Sequence, residues 1–189
     1  MMDQKILLGA LSLAIGIVSY TFYFRDILKN KTKPDGASWF IWGLLAAITF
    51  FAQFSSGGGA GTWITAFTAL VCVVIATLAF YRNHTQIKRI DWISLFFALG
   101  GIGLWLYTKN PLVAVVIVVL VGAIGFVPTF IKAFYKPQEE TGITFAMNAS
   151  KFAIAFFALG SLSPVTWLYP AAMVLMNSSL AMMIFLRQR

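Results

Sequence analysis

Hydrophobic residues fall in seven long runs, at about 5–24, 38–54, 60–81, 91–108, 112–133, 142–160 and 165–187. A bilayer span needs about 20 apolar residues, so several runs lie at the short end of that range. Backbone placed in hydrocarbon must satisfy its own hydrogen bonds, and the runs therefore predict helices. The connectors between them are short. Ser55-Ser56-Gly57-Gly58-Gly59 and Gly160-Ser161-Leu162-Ser163-Pro164 are uncharged turns, whereas the connectors after the first, third and fifth runs are longer and basic.

Composition agrees with a membrane protein. Of 189 residues, 60% are hydrophobic and 11% charged, which excludes an ordinary soluble domain. Mean hydropathy is +0.84. Seven spans use nearly all of the chain, so a single transmembrane domain over 1–189 is expected, with little left outside the bilayer. The N-terminal run lacks a convincing small-residue cleavage site and is read as part of the fold.

The net charge of +8 would suggest nucleic acid in a soluble protein, but here the basic residues sit between apolar runs and set orientation. Arg25, Lys29, Lys31, Lys33, Arg82, Lys88, Arg89, Lys132, Lys136, Arg187 and Arg189 fall on one side, and only Lys5 and Lys109 on the other. By the positive-inside rule the N-terminus is expected outside and the C-terminus in the cytoplasm, in a prokaryotic inner (plasma) membrane. The expected partners are the lipid bilayer and a small-molecule substrate, with no nucleic acid.

The chain also contains an internal similarity. Tyr20-Thr21-Phe22 is followed after thirteen residues by Gly36-Ala37-Ser38-Trp39-Phe40-Ile41-Trp42. Pro128-Thr129-Phe130 is followed after eleven by Gly142-Ile143-Thr144-Phe145-Ala146-Met147-Asn148. Both copies bridge the first and second helices of a group of three. The predicted fold is all-α, with seven transmembrane helices in a 3+1+3 parallel repeat of three-helix bundles: repeat one about 5–81, a linker helix about 91–108, and repeat two about 112–187. Ser38 and Thr144 are candidate N-caps, and Pro128 is a candidate kink.

Those two segments, Ser19-Tyr20-Thr21-Phe22 through Trp39 and Val127-Pro128-Thr129-Phe130 through Phe145, resemble the PQ-loop superfamily, which includes the SWEET and SemiSWEET sugar transporters. The resemblance implies alternating access around a midplane site, with the family's Pro-Gln pair as hinge. Here that pair is Pro128-Thr129 in repeat two and Tyr20-Thr21 in repeat one, so only helix five keeps the proline. The sugar-transporting relatives also use an asparagine on the third helix of each repeat. Asn177 matches one of them, but helix three has none. The nicotinamide riboside transporters share the general seven-helix plan, so layout does not choose the substrate.

Lys151 is the most informative single residue. It lies nine residues beyond Gly142, a depth of roughly 13 Å. A charge there costs at least a few kcal/mol, and no Asp or Glu lies inside any run to pair with it. Lys151 is therefore either uncharged, or faces a hydrated cavity or an anionic ligand. Thr144, Asn148 and Lys151 share one helical face, and the matching face of repeat one carries Ser38, Trp42 and Leu45. Trp42, Asn148, Lys151, Asn177, Ser38 and Thr144 are thus the candidate substrate-binding residues. A plainer reading is that Asn148, Lys151 and Asn177 bond to backbone between helices.

Other features read structurally. Gln53 and the tryptophans Trp39, Trp63, Trp92 and Trp167 lie near run ends, where an interfacial belt is expected. Gly9, Ser12 and Gly16 form a small-residue stripe. Asp26, beside Arg25, is expected to be solvated, and Cys72 to be a small packing residue. The single histidine, His84, lies in a loop, and no metal, haem or phosphate-cradling constellation is present in the sequence. No cofactor and no enzymatic activity are expected.

The leading expectation is a transporter of a small polar solute, sugar-like or another small metabolite. One alternative is transport of an anionic or heterocyclic metabolite using Lys151. Another is a PQ-loop-type receptor or scaffold without transport. A Schiff-base chromophore on Lys151 is disfavoured by the lack of a carboxylate counter-ion. One copy contains both repeats and suffices for a pathway, which is compatible with a monomer or a homo-oligomer.

Overall fold

The computed structural model describes residues 2–83, 85, 87 and 89–188. His84, Lys88 and Arg189 lie outside the described residues. Helices α1 (Met2–Leu28), α2 (Gly36–Ser55), α3 (Trp63–Tyr81), α4 (Arg89–Thr108), α5 (Pro111–Tyr135), α6 (Gly142–Phe157) and α7 (Pro164–Arg187) account for most of the chain. Short 3-10 turns cover Gly59–Thr62 and Pro137–Glu139. Among the described residues there is no strand.

Six helices are long and apolar enough to cross a membrane. The exception is α6, whose 16 residues span about 24 Å at 1.5 Å each, short of a hydrocarbon core of about 30 Å. The apolar run was expected to stay helical to residue 160. It stops at Phe157, where the N–H of Ala158 closes onto Ile154 and Ala155 and the chain turns into Gly160. Ala158 and Leu159 are buried, so their apolarity reflects packing rather than continuation of the span.

Local chemistry sets the ends. Asp35, not Ser38, caps α2, accepting from the N–H groups of Ala37 (3.1 Å) and Ser38 (3.5 Å). At α6 the cap position falls to Thr141, not Thr144, and its side chain makes no capping bond. Pro111 and Pro164 open α5 and α7 at the first-turn positions where a missing N–H is harmless. α5 continues as helix through Pro128.

The helices pack in a paired pattern. α2 lies on α3 as α6 lies on α7, α1 touches α3 as α5 touches α7, and α1 crosses to α6 as α2 crosses to α5. α4 sits outside this set, against α5 and α2. Small residues permit the closest crossings. A Cβ on Gly9 would stand 2.8 Å from Ala60, and one on Gly16 would stand 2.6 Å from Ile64 Cδ1. Between them Ser12 donates to the Lys151 carbonyl (2.8 Å), so the small-residue stripe of α1 is its seam with α6 and the Gly59–Thr62 turn.

The two ends of the bundle differ. One carries the glycine turns and is called the glycine end. There Gly160 N–H donates to Gly58 O (2.9 Å), Gly61 N–H to Ala158 O (3.2 Å), and Lys5 Nζ to Gly160 O (3.0 Å). Gln53 is fully buried rather than interfacial, its amide donating to Thr166 O at 2.7 Å. The other, the basic end, carries the loops after α1 and α5.

Candidate functional site

Two adjoining cavities lie between the basic end and the middle of the bundle. The central one is bounded by Tyr20 of α1, Trp39, Trp42 and Leu45 of α2, and Thr68 and Cys72 of α3. Its opposite wall is Gly122 and Phe126 of α5, Phe145, Asn148 and Phe152 of α6, and Tyr169, Met173 and Asn177 of α7. Every helix except α4 contributes. Its free volume is about 40 Å³, enough for water but not for a sugar-sized solute. The second cavity, about 100 Å³, is a vestibule at the basic end lined by Asp35, Ser38, Pro128, Thr129, Lys132 and Glu140.

Trp39, Trp42 and Phe145 line both cavities and therefore form the wall between them. Trp39 and Trp42 meet edge to face at 5.3 Å, and Trp42 leans on Phe126 at 4.7 Å. Trp39 was expected in an interfacial belt. It is instead buried between Tyr23 and Trp42, because α2 turns that face toward α1 and α3. Trp63 and Trp92 are exposed, as a belt requires, and Trp167 is half-buried.

The predicted site residues separate into groups. Trp42, Asn148, Asn177 and Tyr20 line the central cavity. Ser38, Pro128 and Thr129 line the vestibule. Thr144 lines neither of these two cavities. Its hydroxyl donates to Ser19 O (3.3 Å) while Ser19 Oγ donates to Thr144 O (3.2 Å), a reciprocal clasp between α6 and α1. Thr21 is exposed on the outer face of α1 and bonds back to Ile17 O (2.8 Å).

Lys151 is completely buried, one layer behind the cavity wall. Its Nζ donates to the Tyr20 hydroxyl (3.0 Å) and the Thr68 hydroxyl (3.1 Å). The same Nζ lies 4.1 Å from the centre of the Tyr20 ring and 5.2 Å from that of Phe152. Its stem runs past Gly16, where a Cβ would stand in ordinary contact with Lys151 Cδ at 3.5 Å. The lysine thus reaches the cavity through two hydroxyl groups rather than directly. Thr68 is a site residue not singled out by the sequence, where it is one of three threonines of α3 with Thr65 and Thr77.

No family model matches this chain, and no curated protein or solved structure does.

Polar atoms in and around the cavities are unevenly satisfied. The Trp42 indole N–H is buried without a partner. Asn177 Nδ2 donates to Met173 O of its own helix (2.8 Å). Asn148 Oδ1 faces the Ser19 hydroxyl at 3.5 Å, at the limit of a hydrogen bond. In the vestibule Glu140 is buried, with one carboxylate oxygen on Lys132 Nζ (2.8 Å) and the other unpartnered. Burial raises the Glu140 carboxyl above its ordinary range, against the opposing pull of Lys132. Glu139 is held below that range by its hydrogen bond from Lys33 (3.0 Å).

The basic end is tied together across the chain. Lys132 donates to the carbonyl of Lys33, and Lys33 N–H reaches Glu139 O at 3.3 Å. Asp26, expected in solvent, is buried. One of its oxygens takes Arg25 (2.8 Å) and the other the Thr141 hydroxyl (3.1 Å), which also bonds Thr32. The loop after α5 folds over the loop after α1, and that cover removes Asp26 from water.

Proposed function

We propose that the protein is a membrane transporter that moves a small polar solute by alternating access at the central cavity. The carrying observation is that cavity and vestibule adjoin across one aromatic wall, with the glycine turns fastened together at the far end. A substrate pathway needs a wall that can part on one side while the other stays shut. Trp39, Trp42 and Phe145 are that wall on the basic side, and the Gly58–Gly160 contact is the closure on the other.

The paired packing supports a 3+1+3 organisation in which α1–α3 and α5–α7 are parallel repeats, α4 links them, and the short α6 crosses as the seventh span. Exchanging α1 with α5, α2 with α6 and α3 with α7 maps the neighbour pattern onto itself. The same exchange takes Trp42 to Asn148 and Leu45 to Lys151, so the two walls are chemically unequal. The PQ-loop resemblance belongs to this reading, as does the placement of the basic end in the cytoplasm. In this account Pro128, beside the vestibule, is the point about which α5 bends.

Purified protein in liposomes should show saturable uptake for at least one member of a panel of sugars, small carboxylates and nucleosides. Ligand-dependent thermal stabilisation with no flux of any kind would replace the transporter with a receptor.

A further inference from the structure

The balance of donors and acceptors around the central cavity names a class of solute. An ammonium has three N–H donors and no acceptor. Lys151 directs two of them at the oxygens of Tyr20 and Thr68, and its remaining side faces the Tyr20 and Phe152 rings. Each hydroxyl, having accepted from Lys151, has its own hydrogen to donate, and both residues line the cavity. Trp42 adds a buried N–H with no protein acceptor. Asn148 turns its carbonyl oxygen to Ser19, which leaves its NH₂ as the free half of the amide. Asn177 contributes the opposite sense, because its NH₂ is already engaged by Met173 O, and the Tyr169 hydroxyl can serve in either sense. No carboxylate lines this cavity.

From this we infer that the central site selects a small organic monoanion with a flat apolar body, an aromatic or heteroaromatic carboxylate. Lys151 supplies the counter-charge, relayed through the hydroxyls of Tyr20 and Thr68. The carboxylate meets the donors, and a ring entering as the cavity widens beyond its present volume of about 40 Å³ is bounded by Trp42, Phe126 and Phe152, on which a flat π face stacks more favourably than a polyol does. A buried cation without an acidic partner is costly, and an arriving anion relieves that cost. The inference rests on the transporter reading for its biological use, but the site chemistry is testable without flux.

The test compares charge at constant shape. Benzoate, indole-3-carboxylate and cyclohexanecarboxylate are each set against their primary amides and against glucose. Binding is read as a shift in thermal-unfolding midpoint of the purified protein, and uptake is read in proteoliposomes. At least one carboxylate should bind about tenfold or more tighter than its amide, the worth of one charge-assisted contact. Tyr20→Phe and Thr68→Val, which remove one hydroxyl each and keep the packing, should each erase most of that preference. They should weaken amide binding less than carboxylate binding. Lys151→Met should erase the preference entirely. Carboxylate and amide binding alike, no carboxylate binding at all, or a preference indifferent to both hydroxyl variants would overturn the inference. Saturable flux of glucose without carboxylate preference would do so while leaving transport intact. Carboxylate binding without any flux would sustain the site and overturn transport.

Discussion

Lys151 shows how a residue's environment is settled by helices other than its own. Its nearest polar partners are two neutral hydroxyls on α1 and α3. Replacing an isolated buried cation by an apolar side chain of similar length is commonly neutral or stabilising. Lys151→Met should therefore unfold at or above the parent temperature while losing carboxylate recognition. A large fall in midpoint would mark the lysine as a structural strut instead. Gly61 is the opposite case. A Cβ there would meet Ala155 O at 2.7 Å and the Leu159 backbone N at 2.8 Å, and backbone does not yield. Gly61→Ala should cost about 1–3 kcal/mol, measured by chemical denaturation in detergent. The position of Lys151 within α6 was legible in the sequence because it follows from counting along one helix. Its screening by Tyr20 and Thr68 was not, because that depends on how α1 and α3 are rotated against α6. The same reason moved Trp39 and Gln53 from an expected interface to the interior.

At the scale of elements, the caps and loops at the basic end carry the consequences. Asp35→Ala removes the side-chain cap of α2 and should cost about 1 kcal/mol. The sequence suggested Ser38 for that role, because a hydroxyl before an apolar run fits a cap, and the carboxylate three residues earlier proved to be the one in position. Glu139 and Glu140, adjacent in the chain, should respond to pH in opposite ways. The Glu140 carboxyl lies above 4.5 in the folded state, so its ionisation weakens the fold as pH rises through that raised value. Glu140→Gln should then be more stable than the parent at neutral pH, and the difference should close as pH falls below about 4.5. Glu139 lies below 4.5, so its contribution is present above that pH and is lost as pH falls through the lowered value. Glu139→Gln should lower the unfolding midpoint at neutral pH and converge with the parent in acid. Thermal melts from pH 3 to 8 would separate the two. The helices themselves were legible to within a few residues, since each is bounded by proline, glycine or charge. The end of α6 was misplaced because apolar residues buried in a turn look the same in sequence as apolar residues in a span.

For the whole molecule, the proposal is two three-helix units about one pathway, closed at the glycine end and walled by aromatic rings toward the basic end. The proposed orientation rests on the charge asymmetry and is open to a simple check. Lys109→Cys should react with a membrane-impermeant maleimide on intact cells, and Lys136→Cys only after permeabilisation. The reverse result would invert the pathway without altering the site. The proposed repeat rests in the sequence on Tyr20-Thr21-Phe22 and Pro128-Thr129-Phe130, because loops and helix starts keep polar landmarks. The neighbour exchange between α1–α3 and α5–α7 left no trace in hydropathy, because packing order is not encoded by apolar content. The decisive measurement locks the glycine end. A Cβ on Gly57 would stand 3.7 Å from Ser161 Cβ, within disulfide range, although the positive φ of Gly57 makes a side chain there somewhat strained. Gly57→Cys/Ser161→Cys protein in liposomes should take up solute when reduced, stop when oxidised, and resume on reduction. Uptake that continues undiminished with the disulfide formed would contradict alternating access through this cavity.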